Sequence, residues 1–363
     1  MKRLLMTTTA LIALGGVTSA LADLGISGNA RWTYTTWSDK IVETDTQSGN
    51  NKTAMGEGLE IWFNANETAD SGMTYGAAAR LRSGTKGLDR NWVYMSDDWG
   101  KLTFGRQWSP LIAGSLGANW RGTIKGAQQS KVGSGGLRSH SWITTSGSNP
   151  KVIYNTPNIS GLTVGVSFTD GGSSDGKKVG LDAGAPAAVD DPANRGKADS
   201  TSWRVNYNTD IMDGSGLTVG YGSEKRKAVD GKDASADLTL TEMGIEFTSG
   251  DFLLSAIQMK DKSDKNKATP KTSKDQSTNE IELRYKATDV LTLNFIALSS
   301  KENAKGVKKG DKYSSNAFGV KYEIAPGLLA NVLYTKADLK PAKDSTTKKD
   351  SGNTTYFELR MNF

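Results

Sequence analysis

Two arginines two residues apart, Arg80 and Arg82, and the cations of an acid-free stretch are the side chains best placed to do chemistry. The stretch runs from Trp99 to Thr169 without one Asp or Glu. At the chain's content of 39 acidic residues in 363, about eight would fall there. Between Gly105 and Gly147 it carries Arg106, Arg121, Lys125, Lys131 and Arg138. Fixed cations without counter-charges gather anions, most strongly where low-dielectric walls focus the field. That is the chemistry of selection. Groups that would make and break bonds are scarce. Cysteine is absent and His140 is the single histidine, so a metal site of the usual ligands lacks its donors. A Ser–His–Asp arrangement would have to use His140, inside the acid-free stretch. No glycine-rich phosphate loop follows a strand and opens a helix, which leaves nucleotide binding without support. No cofactor is expected.

The elements that position these residues begin after a leader. Met1-Lys2-Arg3 is a basic start, Leu4 to Val17 an apolar run, and Ala20-Leu21-Ala22 a small-x-small cleavage site. Residues 1–22 are therefore predicted to be a signal peptide, with a mature domain over 23–363. A retained anchor is disfavoured because the run is too short to span and polar alternation follows at once. Beyond Val17 no stretch approaches the length of a spanning helix. Without cysteine an exported chain has no disulfide scaffold. Removing Lys2 and Arg3 brings the formal charge of +6 to about +4, too mild an excess to argue for nucleic acid.

From Leu24 onward the dominant period is two. Leu24, Ile26, Gly28, Ala30, Trp32 and Tyr34 alternate with small and polar residues, a strand with two unlike faces. Sixteen such strands are predicted: 24–37, 57–67, 71–83, 90–96, 99–107, 150–156, 160–169, 201–209, 215–224, 238–248, 251–260, 279–287, 290–299, 315–324, 327–336 and 353–363. Several match the ~9–11 residues of a tilted membrane strand. Tight turns such as Ser96-Asp97-Asp98-Trp99-Gly100 and Ala325-Pro326-Gly327 alternate with long polar loops. A sandwich has no reason to sort its connections by parity, whereas an outer-membrane barrel does. The fold class is thus all-β: a 16-stranded antiparallel transmembrane β-barrel with short periplasmic turns and long extracellular loops.

Two short motifs carry a family resemblance. Phe357, Leu359, Met361 and Phe363 alternate with polar residues at the chain's end, which looks like the assembly signal of bacterial outer-membrane proteins. The run Gly100-Lys101-Leu102-Thr103-Phe104-Gly105-Arg106-Gln107 resembles the fifth strand of the Gram-negative general porins, where a Gly-Arg-Gln step leads into the loop that folds into the pore. The resemblance covers the mature chain in strand and loop order. It implies a homotrimer in the outer membrane, against lipid and lipopolysaccharide, passing small hydrophilic solutes and ions. It also implies that the loop at about 107–149 forms the constriction, facing a basic cluster that includes Arg80 and Arg82.

Mid-strand charges should point inward, since a basic residue on the lipid face costs ~2–4 kcal/mol near the midplane. Alternation turns Arg31, Glu60, Arg80, Arg82, Arg204, Arg284, Lys321, Glu323, Glu358 and Arg360 to the lumen. The expected constriction is lined by Arg80, Arg82 and Arg31 on the wall and by Arg121, Lys125, Lys131 and Arg138 on the loop. In the resembled porins the loop supplies acidic groups; here it supplies cations, so a passage positive on both sides and favouring anions is predicted. Five of the nine tryptophans lie from Trp92 to Trp142. Trp92 is expected in an interfacial girdle, and Trp108, Trp120 and Trp142 in loop or subunit contacts; the alternative is a row that guides sugars. A substrate-specific channel for a sugar, phosphate or organic anion remains open, as does a plugged barrel serving as adhesin or structural anchor.

Overall fold

The computed structural model describes residues 23–39, 53–83, 88–118, 132, 134, 136–141, 146, 147, 149–169, 199–227, 237–263, 275–303, 309–343, 345, 347 and 349–363. Residues 1–22, the expected leader, lie outside these residues. The strands are β1 (Asp23–Asp39), β2 (Thr53–Thr68), β3 (Thr74–Arg82), β4 (Leu88–Asp97), β5 (Gly100–Arg106), β6 (Pro150–Asn155), β7 (Leu162–Thr169) and β8 (Ser200–Met212). They continue as β9 (Ser215–Arg226), β10 (Leu238–Ser249), β11 (Phe252–Ser263), β12 (Asp275–Lys286), β13 (Leu291–Glu302), β14 (Lys312–Ala325), β15 (Leu328–Lys340) and β16 (Asp350–Asn362). A short helix, α1 (Pro110–Ala113), follows β5.

Each strand pairs antiparallel with its neighbours in sequence, and β16 pairs with β1 to close the ring. Closure leaves no edge with unsatisfied backbone groups, the condition for a sheet to cross lipid. The seam is finished by Phe363, whose N–H and C=O bond to Gly28 at 3.0 and 2.8 Å. Glycine suits position 28 because a Cβ there would lie 2.4 Å from the Glu60 carbonyl oxygen and 2.8 Å from the Phe363 ring.

The outward positions form an apolar belt that includes Ile245, Leu254, Phe295, Phe318 and Val332, all exposed. Aromatic pairs rim it at both ends, as expected where a barrel meets the two membrane interfaces. Phe252 stacks on Tyr285 near the short turns at 4.5 Å, and Trp203 meets Tyr221 near the long loops at 5.3 Å.

All sixteen predicted strands are present, but many extend further at the long-loop end. β12 begins at Asp275 rather than 279, and β11 runs to Ser263 rather than 260. These additions are polar on both faces, as in Asp275-Gln276-Ser277-Thr278. Where the strands rise above the lipid, the outward face has no need to be apolar, so alternation disappears while hydrogen bonding continues. The wall is also uneven. β3 to β7 span 6 to 10 residues, whereas every other strand spans 12 to 17.

Candidate pore constriction

The described residues between β5 and β6 turn into the barrel and pack on the inner faces of β10 to β16. Gly105, at φ +134°, sits where the loop leaves; a Cβ there would lie 2.5 Å from the Asn91 carbonyl oxygen. Pro110 at the start of α1 gives up no hydrogen bond, because the first N–H groups of a helix have no internal partner. Leu111 and Leu116 then bury against Leu240, Ile257 and Met259 of β10 and β11. Ala118 joins Ile296, Ala317, Leu333 and Tyr356, while Val132 and Leu137 pack with Leu298, Tyr313, Ala337 and Leu339. The loop is thus seated on apolar patches that face inward from β10 to β16.

Its polar groups are met by wall carboxylates. Ser109 Oγ donates to Glu224, and the Ser146 N–H reaches the same carboxylate at 2.6 Å. Glu242 accepts from Ser115 Oγ (2.7 Å), from the Leu116 N–H (3.2 Å) and from Arg204 (2.9 Å). The Ala118 N–H donates to Glu280 at 2.7 Å, and Arg138 holds both oxygens of Asp261 at 2.7 and 2.8 Å. Buried carboxylates are tolerated when charge-assisted hydrogen bonds satisfy them. At these carboxylates the acid-free loop supplies donors and the wall the acceptors, while Arg204, Asn206, Gln276 and Ser300 of the wall donate in turn to loop carbonyls.

Across the lumen, Glu60 on β2 is shared by Arg31 (3.3 Å), Arg80 (3.4 Å) and Arg82 (3.4 Å). Arg80 also pairs with Asp89. Arg90 lies between two indoles, 4.8 Å from the Trp62 centroid and 3.6 Å from that of Trp108. It donates to Gln107 Oε1 at 3.3 Å. Four guanidiniums, Arg31, Arg80, Arg82 and Arg90, thus face two carboxylates, Glu60 and Asp89. Arg82 is the member most open to water, its side chain 39 % exposed against 7 % for Arg80.

A family model described as Gram-negative porin matches residues 7–357, nearly the whole chain. The chain belongs to the Gram-negative porins. No curated protein matched in sequence. Among solved structures, the porin is similar to the outer-membrane-expressed OmpT of Vibrio cholerae, at 16 % identity and TM-score 0.63, covering 96 % of this chain and 99 % of that one. A trimer form of in-vitro-folded OmpT from the same organism aligns at 15 % identity and TM-score 0.64, over 94 % and 100 %. An anion-selective porin from Comamonas acidovorans aligns at 12 % identity and TM-score 0.61, also over 94 % and 100 %. At these identities the likeness is one of fold. Family and fold are those of an outer-membrane channel and not of an enzyme.

Of the seven side chains expected at the porin's constriction, Arg31, Arg80 and Arg82 come together around Glu60. Arg138 is on the far wall, ion-paired to Asp261 at 2.7 Å. Arg121, Lys125 and Lys131 lie outside the described residues, as do Trp120 and Trp142. Trp92 corrects one expectation. It pairs with Ala78 and Gly105 on the inward face and its ring meets Trp62 at 5.8 Å, so it lines the lumen rather than the lipid interface. Trp108 does make a loop contact, on Arg90.

Sequence reasoning passed over Arg90, Asp89, Trp62 and the four docking carboxylates. Alternation contained the signal for several of them: Arg90, Trp92 and Tyr94 share a face, and the charge of Arg90 decides which face that is.

Proposed function

We propose that this porin is a passive diffusion channel for small hydrophilic solutes and ions that favours anions. The observation that carries the reading is the arginine wall, where Arg31, Arg80, Arg82 and Arg90 outnumber Glu60 and Asp89 opposite an acid-free loop. In a narrow passage bounded by low dielectric, such an excess raises the local anion concentration. The likeness to a structure described as an anion-selective porin supports the reading. Sieving is assigned to the loop over 107–149, whose sequence brings the positive charges of Arg121, Lys125 and Lys131. A homotrimer is the assembly, supported by the trimer form among the similar structures, with lipid and lipopolysaccharide around its rim.

The test is the reversal potential of reconstituted channels across a KCl gradient. Chloride should dominate, and a cation preference would sink the proposal. Conductance also separates the other readings. A plugged barrel serving as an adhesin passes almost no current, and a substrate-specific channel is blocked by its own solute.

A further inference from the structure

Below the arginine wall, towards the short turns, the inner face of β3–β5 changes character. Trp92 and Tyr94 follow each other on β4, two residues and about 7 Å apart along the strand. Their cross-strand neighbours are small: Ala78 and Gly76 on β3, Gly105 and Thr103 on β5. The Tyr94 ring rests across Gly76, where a Cβ would come within 2.9 Å of it. Lys101, one rung nearer the periplasmic end, holds its ammonium 3.9 Å from the Tyr94 centroid. Among the described residues Lys101 is the only charged side chain at an inward position of these three strands below the Arg80–Arg90 rung, and no carboxylate lies within ion-pair distance of it. An ammonium with no ion-pair partner against the half-buried Tyr94 ring, with Trp92 next along the same face, is unlike the wet, small-residue wall around it.

We propose that Trp92, Tyr94 and Lys101 form a binding station for small aromatic carboxylates on the periplasmic half of the pore. The carboxylate of the solute pairs with the Lys101 ammonium while its ring stacks against the row formed by Tyr94 and Trp92. Both halves of the solute are recognised by chemistry that water supplies poorly: a cation at the edge of an apolar surface, and a π face. The arginine wall above delivers anions, and the station retains those that carry a flat ring. The inference rests on the channel reading and narrows it to a preferred solute class.

The experiment measures KCl conductance of the reconstituted full-length channel while benzoate, cyclohexanecarboxylate or acetate is added on the short-turn side. Benzoate should block at a concentration about fivefold lower than cyclohexanecarboxylate, the size of one aromatic contact. Lys101→Gln should weaken block by both ring acids, and Trp92→Leu with Tyr94→Leu should abolish the difference between them. The comparison of acids on the unaltered protein needs no variant to fold. A conducting channel that benzoate blocks no better than cyclohexanecarboxylate overturns the station and leaves the porin reading intact. Block that persists unchanged in both variants overturns it as well. A barrel that passes no current overturns the channel reading and the station together.

Discussion

Trp108, two residues beyond β5, covers Arg90 of β4 with its indole at 3.6 Å. One side chain thus ties the root of the constriction loop to the arginine wall it faces. Trp62 closes the other side of the same guanidinium at 4.8 Å, so Arg90 is held flat and buried, its charge presented through the cluster rather than directly to solvent. Cation–π contacts of this kind contribute about 0.5–2 kcal/mol, more when water is excluded.

Replacing Trp108 with alanine should free the loop root without removing any charge. Arg90 would keep Trp62 and Gln107. The expected outcome is a channel of unchanged ion preference whose open-state current noise rises, read in single-channel records beside the parent. Unchanged noise would show that the loop is held by its far arm alone.

Arg82 and Arg80 should separate selectivity from stability. The Arg82 side chain is well exposed, and exposed ion pairs add only about 0–1 kcal/mol. Arg82→Ser should therefore shift the KCl reversal potential towards cations while leaving the urea midpoint almost unmoved. Arg80 bridges Glu60 and Asp89 from a buried position. Its loss takes the paired guanidinium from Asp89 while Glu60 keeps Arg31 and Arg82, and Arg80→Ser should lower stability by about 3 kcal/mol as well as weakening anion preference. Equal midpoints for the two variants would contradict this division.

Glu242 is the firmest of the loop's acceptors, with Ser115, Leu116 and Arg204 all donating to it. Glu242→Gln preserves shape but removes the carboxylate that Arg204, 2 % exposed, pairs with at 2.9 Å. A penalty of about 3 kcal/mol follows from breaking a buried pair. The measurement is limited proteolysis of the folded barrel, in which cleavage within 107–149 should appear in the variant before it does in the parent.

The strands were legible because lipid imposes a difference between two faces that a period of two reveals. That difference fails at the outer strand ends, which is why Asp275 and Ser263 fell beyond the predicted limits. The arginine cluster was legible from Arg80, Arg82 and Arg31 for the same reason, since a charge declares which face is wet. Trp92 carried no such declaration by itself: an aromatic ring suits a lumen wall and an interface equally, and only its register with Arg90 separates the two. The docking of the loop left the least trace. Ser115 and Glu242 are 127 positions apart, and nothing local marks a mid-strand carboxylate as the seat of a distant serine.

That separation sets an order of events. The loop's partners, Glu224, Glu242, Asp261 and Glu280, lie on β9 to β12, all later in the chain than the loop itself. Those carboxylates come to one inner face only once β9 to β12 have paired in register. The wall should therefore form around an open bore, which narrows only as the loop finds its four seats. In a time-resolved refolding experiment, barrel formation followed by gel mobility should precede protease protection of residues 107–149. During that interval the channel would be at its widest and least discriminating, and selectivity would be the last property this porin acquires.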